Sequence, residues 1–280
     1  MKIYTTLGCL LLMVHCTAQD NPATDIPTID WEALQKTKPW VESEVWEPVP
    51  EVVAAKAGAI PSDAVVLFDG KNLDQWQKPQ FGFEGANMEQ ITAIIKNLDP
   101  NHEGAPADWV VEKGDMVVKP GTGAIESKSK FGDMQMHIEW LSPVDEGKEG
   151  QGYSNSGIFI MSFYELQILN NYQNKTYPNG QAGSIYKQHI PLVNASRAPG
   201  TWQSYDIIFM APRFKDGELT SPARITVFHN GVLVQNHVEL KGPTAYIGQP
   251  HYSAHPDKLP IRLQDHGDQV RFRNIWVREL

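Results

Sequence analysis

After residue 108 the chain alternates apolar and polar residues with a period of two, as a half-buried strand does. Met134, Met136, Ile138 and Trp140 share one face of a strand, while Gln135, His137 and Glu139 share the other. Tyr164, Leu166 and Ile168 alternate with Glu165 and Gln167 in the same way. Ile261 and Leu263 alternate with Arg262, Gln264 and, if the strand runs that far, His266. The pattern predicts strands at 64–68, 109–112, 115–118, 124–127, 134–141, 156–161, 164–169, 204–210, 223–229, 232–240, 261–264 and 270–278. They are short, evenly spaced and separated by Gly, Pro, Asn or Asp, which predicts an antiparallel sandwich and excludes alternating βαβ units. Asn230-Gly231 between two of them is a hairpin turn signal.

The period changes once. Ile91, Ile94, Ile95 and Leu98 fall on one helical face. Asn87 can cap that helix, with Gln90 reciprocating three residues on, and Asp99-Pro100-Asn101 ends it.

Before residue 63 no period is visible. Residues 1–18 read as an export signal: Lys2, an apolar run from Leu7 to Val14, and Cys16-Thr17-Ala18 before Gln19. The run is too short to span a bilayer. Lipidation at Cys16 is disfavoured, because Met13-Val14-His15 lacks the small residues it needs. Residues 19–62 are rich in Pro and Trp and read as an extended arm, anchored by Trp31, Trp40 and Trp46. Residues 63–280 form the sandwich. Export predicts a periplasmic or cell-surface protein. Cys9 and Cys16 both lie in the signal, so cleavage after Ala18 leaves no disulfide and no cysteine nucleophile.

Lys and Arg number 24 against 33 Asp and Glu, a net charge of −9. That balance argues against binding of nucleic acid or an anionic membrane surface. The polar strand faces carry Gln, His, Glu and Arg with almost no Lys. Those groups suit hydrogen bonds to sugar hydroxyls and proton transfer, whereas a merely solvated face would carry more Lys, Thr and Ser. Tyr153, Phe163, Tyr172, Tyr186, Trp202, Tyr246 and Tyr252 lie at or beside predicted turns, where rings could pack on sugar C–H faces or on the rim of the core. His251 and His255 could hold a metal with Asp257, though loop histidines are more often unremarkable. No metalloprotease, nucleophile-elbow, P-loop or dinucleotide motif occurs, nor the E-x-D-x-x-E strand of sandwich glucanases. The last absence counts against two-carboxylate glycoside hydrolysis.

A series of short segments adds to this. It comprises Leu67-Phe68-Asp69-Gly70-Lys71-Asn72-Leu73 with Trp76, Phe131-Gly132-Asp133, His137-Ile138-Glu139-Trp140, Asn155-Ser156-Gly157-Ile158 and Tyr164-Glu165-Leu166-Gln167-Ile168-Leu169. Trp202, Tyr205-Asp206, Phe228-His229-Asn230-Gly231-Val232, Ile261-Arg262-Leu263-Gln264-Asp265-His266-Gly267 and Arg273-Asn274-Ile275-Trp276 complete it. In this order, from about residue 62 to 280, the segments resemble the 3-keto-disaccharide hydrolase family, also described as 3-keto-glucoside-1,2-lyases and 3-keto-2-hydroxy-glucal hydratases. The stretch from Gln80 to Ala107 is longer than the family leads one to expect and would shape one rim. The resemblance implies a concanavalin A-like jelly-roll sandwich and an oxidised saccharide as substrate, supplied by an upstream sugar 3-oxidase. It implies proton abstraction at C2, β-elimination at C1 and hydration of the product. Glu165 and His266 would then be base and acid in either order, with Arg262, Gln167 and Gln264 orienting the sugar or stabilising the enolate. His137, Glu139, Tyr186 and Trp202 would be further substrate-binding residues. Neither the residues nor the resemblance decides whether Glu and His also hold a divalent metal. A non-catalytic carbohydrate-binding sandwich and a conventional glycoside hydrolase are the alternatives.

Overall fold

The computed structural model describes residues 28–54, 59–82, 85–145 and 147–280. The export signal, both cysteines and the start of the arm lie outside these residues. The chain divides into two compact units after Val52.

The first unit holds helix α1 (Trp31–Thr37) and a short 3-10 turn over Pro39–Ser43. The helix is unannounced by any apolar period. It is marked at its ends: Asp30 Oδ1 accepts from the Ala33 amide at 3.0 Å, Glu32 lies in the first turn and Lys36 in the last. It buries no residue. Trp31, Trp40 and Trp46, expected as anchors, are all exposed.

The second unit begins with β1 (Val65–Phe68), β2 (Trp76–Gln77) and helix α2 (Met88–Lys96). Then come β3 (Val110–Glu112), β4 (Asp115–Val117), β5 (Ile125–Phe131), β6 (Met134–Leu141), β7 (Ser156–Ile160) and β8 (Tyr164–Ile168). It ends with β9 (Gln203–Met210), β10 (Arg213–Lys215), β11 (Glu218–Ser221), β12 (Arg224–His229), β13 (Val232–Glu239), β14 (Leu259–Leu263) and β15 (Arg271–Glu279). Eight strands form one antiparallel sheet in the order β13-β12-β9-β6-β15-β4-β3, with β1 also on β15. Five form the other, β2-β5-β14-β7-β8. The order jumps back and forth in sequence, as expected of an all-β jelly-roll sandwich. The small hairpin β10-β11 stands apart. It and the two-residue β2 are too short, and β10 and β11 too polar, to show a period.

Parity holds along β6, β9 and β12, whereas register shifts break it in β13 and β15. Met134, Met136, Ile138 and Trp140 of β6 are fully buried between the sheets, as are Tyr205, Ile207 and Phe209 of β9. Ile158, Ile160, Leu166, Ile168, Ile261 and Leu263 meet them from the five-stranded sheet. The sheets differ on their outer faces. β6 reads buried–intermediate throughout, so its second face is partly wet. β7, β8 and β14 are buried at every position. The outer face of the smaller sheet is therefore covered as well.

Helix α2 packs beside the 245–251 segment. Asn87 Oδ1 accepts from the Gln90 amide at 2.9 Å, and Gln90 Oε1 accepts from the Asn87 amide at 3.0 Å. The capping box is as the sequence predicts, and Ile91 and Ile95 are buried beneath the helix. The next amide, Met88 N, donates to Ile247 O at 3.1 Å and ties the cap to the 245–250 loop. Replacing Asn87 by Ala is expected to lower stability by about 1 kcal/mol in chemical denaturation. An unchanged midpoint would show that the cap does not hold this segment.

Candidate active site

Cross-strand register sets the outer face of the smaller sheet. Gln77 pairs with Glu126, Glu126 with Arg262, Arg262 with Phe159, and Phe159 with Glu165. These five side chains form one transverse row, and each is no more than 5% exposed. Gln77 Nε2 donates to Glu126 Oε1 at 3.3 Å, and Arg262 stands 3.6 Å from Glu126 Oε2. Burial raises the Glu126 pKa above the ordinary value against the opposing pull of Arg262. The Phe81 ring covers the guanidinium at 4.4 Å. Arg262 thus lies at the middle of the row, beneath Phe81.

The other end of the row opens into a pocket of about 360 Å³. Glu165, Gln167, Phe159 and Gln264 line its floor, and His266 lines it from the turn after β14. That turn is set by Asp265, whose Oδ1 accepts from the Gly267 amide at 2.9 Å, while Oδ2 accepts from Gly123 at 3.0 Å. Tyr177, Tyr186 and Tyr246 close the opposite wall.

Glu165 dominates the electrostatics. Burial pushes its pKa up to about 8, with the Lys187 ammonium pulling the other way. Its side chain lies across Gly157. A Cβ at Gly157 would stand 2.6 Å from Glu165 Oε1 and 3.0 Å from the Phe159 ring, so glycine is needed for close approach rather than for its backbone angle. Gln167 Nε2 donates to Asn155 Oδ1 at 2.9 Å and to Ile168 O at 3.1 Å. The group it has left to offer the pocket is therefore Oε1, an acceptor. Asn155 is held in turn by Gln151 O at 2.9 Å, and Gln151 Nε2 by Thr176 Oγ1 and Gly180 O, both at 2.8 Å. Gln264 Oε1 is buried without a hydrogen-bond partner among the described residues, which a ligand donor would supply. Tyr177 and Tyr186 share a hydroxyl–hydroxyl bond of 2.8 Å. Burial raises both phenols, so they remain donors at neutral pH.

Five of the residues chosen from sequence thus meet in one pocket: Glu165, His266, Gln167, Gln264 and Tyr186. Four do not. Arg262 has the right parity, but Phe159 separates it from Glu165 along the row. His137 and Glu139 sit on β6, in the opposite sheet, and their outward face points away from the pocket. Glu139 accepts from Arg273 Nε at 2.6 Å and Asn274 Nδ2 at 2.9 Å. His137 Nδ1 lies 2.6 Å from Asp206 Oδ1, and its ring stacks on Trp276. Burial pulls the His137 pKa down, but the Asp206 and Glu139 carboxylates outweigh it and hold it above the usual value. Trp202 lies under the Arg273 guanidinium at 4.0 Å and belongs to the same surface network. Parity says which residues share a face of a strand. It does not say which sheet the strand joins.

Sequence reasoning gave no site role to Tyr177, Gln151, Asn155, Phe159 and Thr244. The first two come from loops without periodicity. Phe159 shares a strand face with Gly157, a parity signal that was there to read. The histidines considered as metal ligands are engaged elsewhere: His255 Nε2 with Tyr164 Oη at 2.7 Å, His251 Nε2 with Thr92 Oγ1 at 3.3 Å. Among the described residues, no group of three or more His, Cys, Asp or Glu could hold a metal ion. No described helix is long and apolar enough to cross a membrane.

Comparison with known proteins agrees with this fold. A crystal structure from Parabacteroides distasonis, of a protein proposed to be a glycosyl hydrolase, is 44% identical with a TM-score of 0.74, covering 86% of this chain and 96% of that one. A second from the same organism, also proposed to be a glycosyl hydrolase, is 18% identical with a TM-score of 0.51, covering 78% and 94%, and bears on the fold alone. No curated protein matches. The family match and the 44% identical relative support a carbohydrate-active, glycosyl-hydrolase-like enzyme. More particularly, the chain belongs to the family of 3-keto-alpha-glucoside-1,2-lyase-like domains, whose pattern matches residues 63–278.

A carboxyl whose folded pKa is raised stabilises the fold fully below its unfolded pKa, and that contribution is lost as pH rises through the folded value. Glu165→Gln should therefore gain thermal stability relative to the native chain between pH 5 and about 8, and level off above. A pH-independent difference would mean that Glu165 is not held protonated by burial.

Proposed function

We propose that the protein cleaves 3-keto-glycosides by removing the C2 proton and eliminating the C1 substituent, and that it can hydrate the resulting 3-keto-2-hydroxy-glucal. The observation that carries this reading is the buried Glu165 at the pocket floor with a pKa of about 8. Among the described residues lining the pocket it is the one carboxylate. Retaining and inverting hydrolysis of an unoxidised glycoside ordinarily use two. Abstraction of a proton beside a ketone uses one base, and a desolvated carboxylate is a stronger base than a solvated one.

In this reading the ionised form of Glu165 takes the C2 hydrogen. The electron pair forms an enolate across C2 and C3. The enolate reforms the C3 ketone as the C1–O bond breaks, leaving a C1–C2 double bond. His266 protonates the departing oxygen. The Tyr177–Tyr186 pair uses one O–H internally and offers the other to the enolate oxygen. Gln167, presenting an acceptor, receives a sugar hydroxyl rather than stabilising the enolate. Addition of water at C1 would complete a net hydrolysis. The export signal read from the sequence supports action in the periplasm or at the cell surface, on sugar oxidised at C3 by a separate oxidase.

Methyl glucosides of both anomers, each with and without a 3-keto group, provide the test. Enone absorbance and methanol release are expected from the ketones alone, with kcat/KM rising with pH through about 8. Glu165→Gln should lower that rate by about 100-fold or more. Full turnover by Glu165→Gln would remove Glu165 from the mechanism. Cleavage of the unoxidised glucosides would favour a conventional hydrolase, and binding without any product a carbohydrate-binding module.

A further inference from the structure

A second hollow of about 390 Å³ adjoins the pocket and shares Tyr177, Tyr186 and Tyr246 with it. Its remaining wall includes Asn179, Lys187, Gln249 and Pro250. We infer that this hollow is the leaving-group subsite, and that it takes an uncharged, hydroxylated ring at C1 of the keto sugar. The inference rests on the elimination proposed above, in which Glu165 at the floor of the first pocket faces C2. The substituent on the neighbouring carbon then extends beyond the shared tyrosine wall.

The chemistry of the wall selects the occupant. Tyr246 and Tyr177 are 55% and 39% exposed, so part of each side chain is open to a flat partner. Lys187 is the one charged residue among the described lining, and its ammonium is already engaged. It donates to Tyr246 O at 2.6 Å and stands 4.0 Å from the Tyr246 ring centre and 5.5 Å from that of Tyr186. What remains for a ligand is ring faces, phenol hydroxyls and the amides of Asn179 and Gln249. Those groups recognise a ring edged with hydroxyls, a shape common to a pyranose and a phenol.

The hollow is also preformed. Its 245–250 wall is fastened to the start of helix α2 by Met88 N to Ile247 O at 3.1 Å and Tyr246 N to Ala86 O at 3.2 Å. Lys187 fastens the same wall from the facing loop, where its own amide donates to Asn179 O at 2.8 Å. The volume is within the range of small-molecule sites, roughly 300 to 1,000 Å³. The stretch from Gln80 to Ala107, which looked long in the sequence, thus has a role: its helix holds one wall of the subsite.

The experiment compares methyl 3-keto-glucoside, phenyl 3-keto-glucoside and a 3-keto-glucosyl-glucose on the native chain and on Gln249→Trp, which fills the hollow from its exposed wall. The native chain should prefer one or both ring-bearing substrates over the methyl compound by about fivefold or more in kcat/KM. Gln249→Trp should bring that ratio near one. Preference for phenyl identifies an aryl leaving group, and preference for the disaccharide a sugar. No preference in the native chain, or the same preference in Gln249→Trp, overturns the subsite. Calorimetric affinities of the matching unoxidised glycosides, read as the same ratio, decide the case in which no ketone is turned over. A ring preference abolished by Gln249→Trp would then keep the subsite while the elimination chemistry falls. Equal affinities for ring-bearing and methyl glycosides would remove both.

Discussion

The burial of a polar row on the outer face of the five-stranded sheet is the constraint on which the site depends. An outer sheet face normally meets water, and Glu, Gln and Arg there cost nothing. Here β7, β8 and β14 are covered on both sides. Covering such a face exacts a desolvation cost for every polar group that is not paired. At one end of the row Gln77, Glu126, Arg262 and Phe81 meet that cost among themselves. At the other end Glu165 meets it by staying protonated at neutral pH. The same desolvation that disfavours the charged carboxylate makes it basic when it forms.

The pocket follows from that cover. Gly157 leaves room for the Glu165 side chain, and an amide relay through Gln167, Asn155 and Gln151 orients the neighbouring acceptor. Loops bring the tyrosines over the top, and the α2 cap braces one of those loops. The β-strands therefore supply Phe159, Glu165 and Gln167, and the turns and loops supply His266 and the tyrosines. This division is usual where function is carried by loops on a rigid scaffold.

The far sheet shows how similar residues acquire another role. His137 and Glu139 look like site residues in sequence: a histidine and a carboxylate two apart on a strand. In the fold they are matched by Asp206, Arg273 and Asn274 across the register of β9 and β15. Each charge has a partner on the same face. Their chemistry is spent within the sheet.

The sequence alone determined every strand but β2, β10 and β11, the capped helix α2, which side of β6 and β9 enters the core, and five residues of the pocket. Those features are local, because alternation, capping and turn chemistry are decided within a few residues. Tertiary structure decided which strands share a sheet, and therefore that Glu165 and His266 meet while His137, Glu139 and Trp202 do not. It also decided that Arg262 lies beneath Phe81 rather than in the pocket, and that Tyr177 and Tyr246 close its wall. Register, strand order and loop packing are set by contacts between residues distant in sequence. An alternating pattern gives the face of a strand, but the neighbour that the face meets comes from elsewhere in the chain.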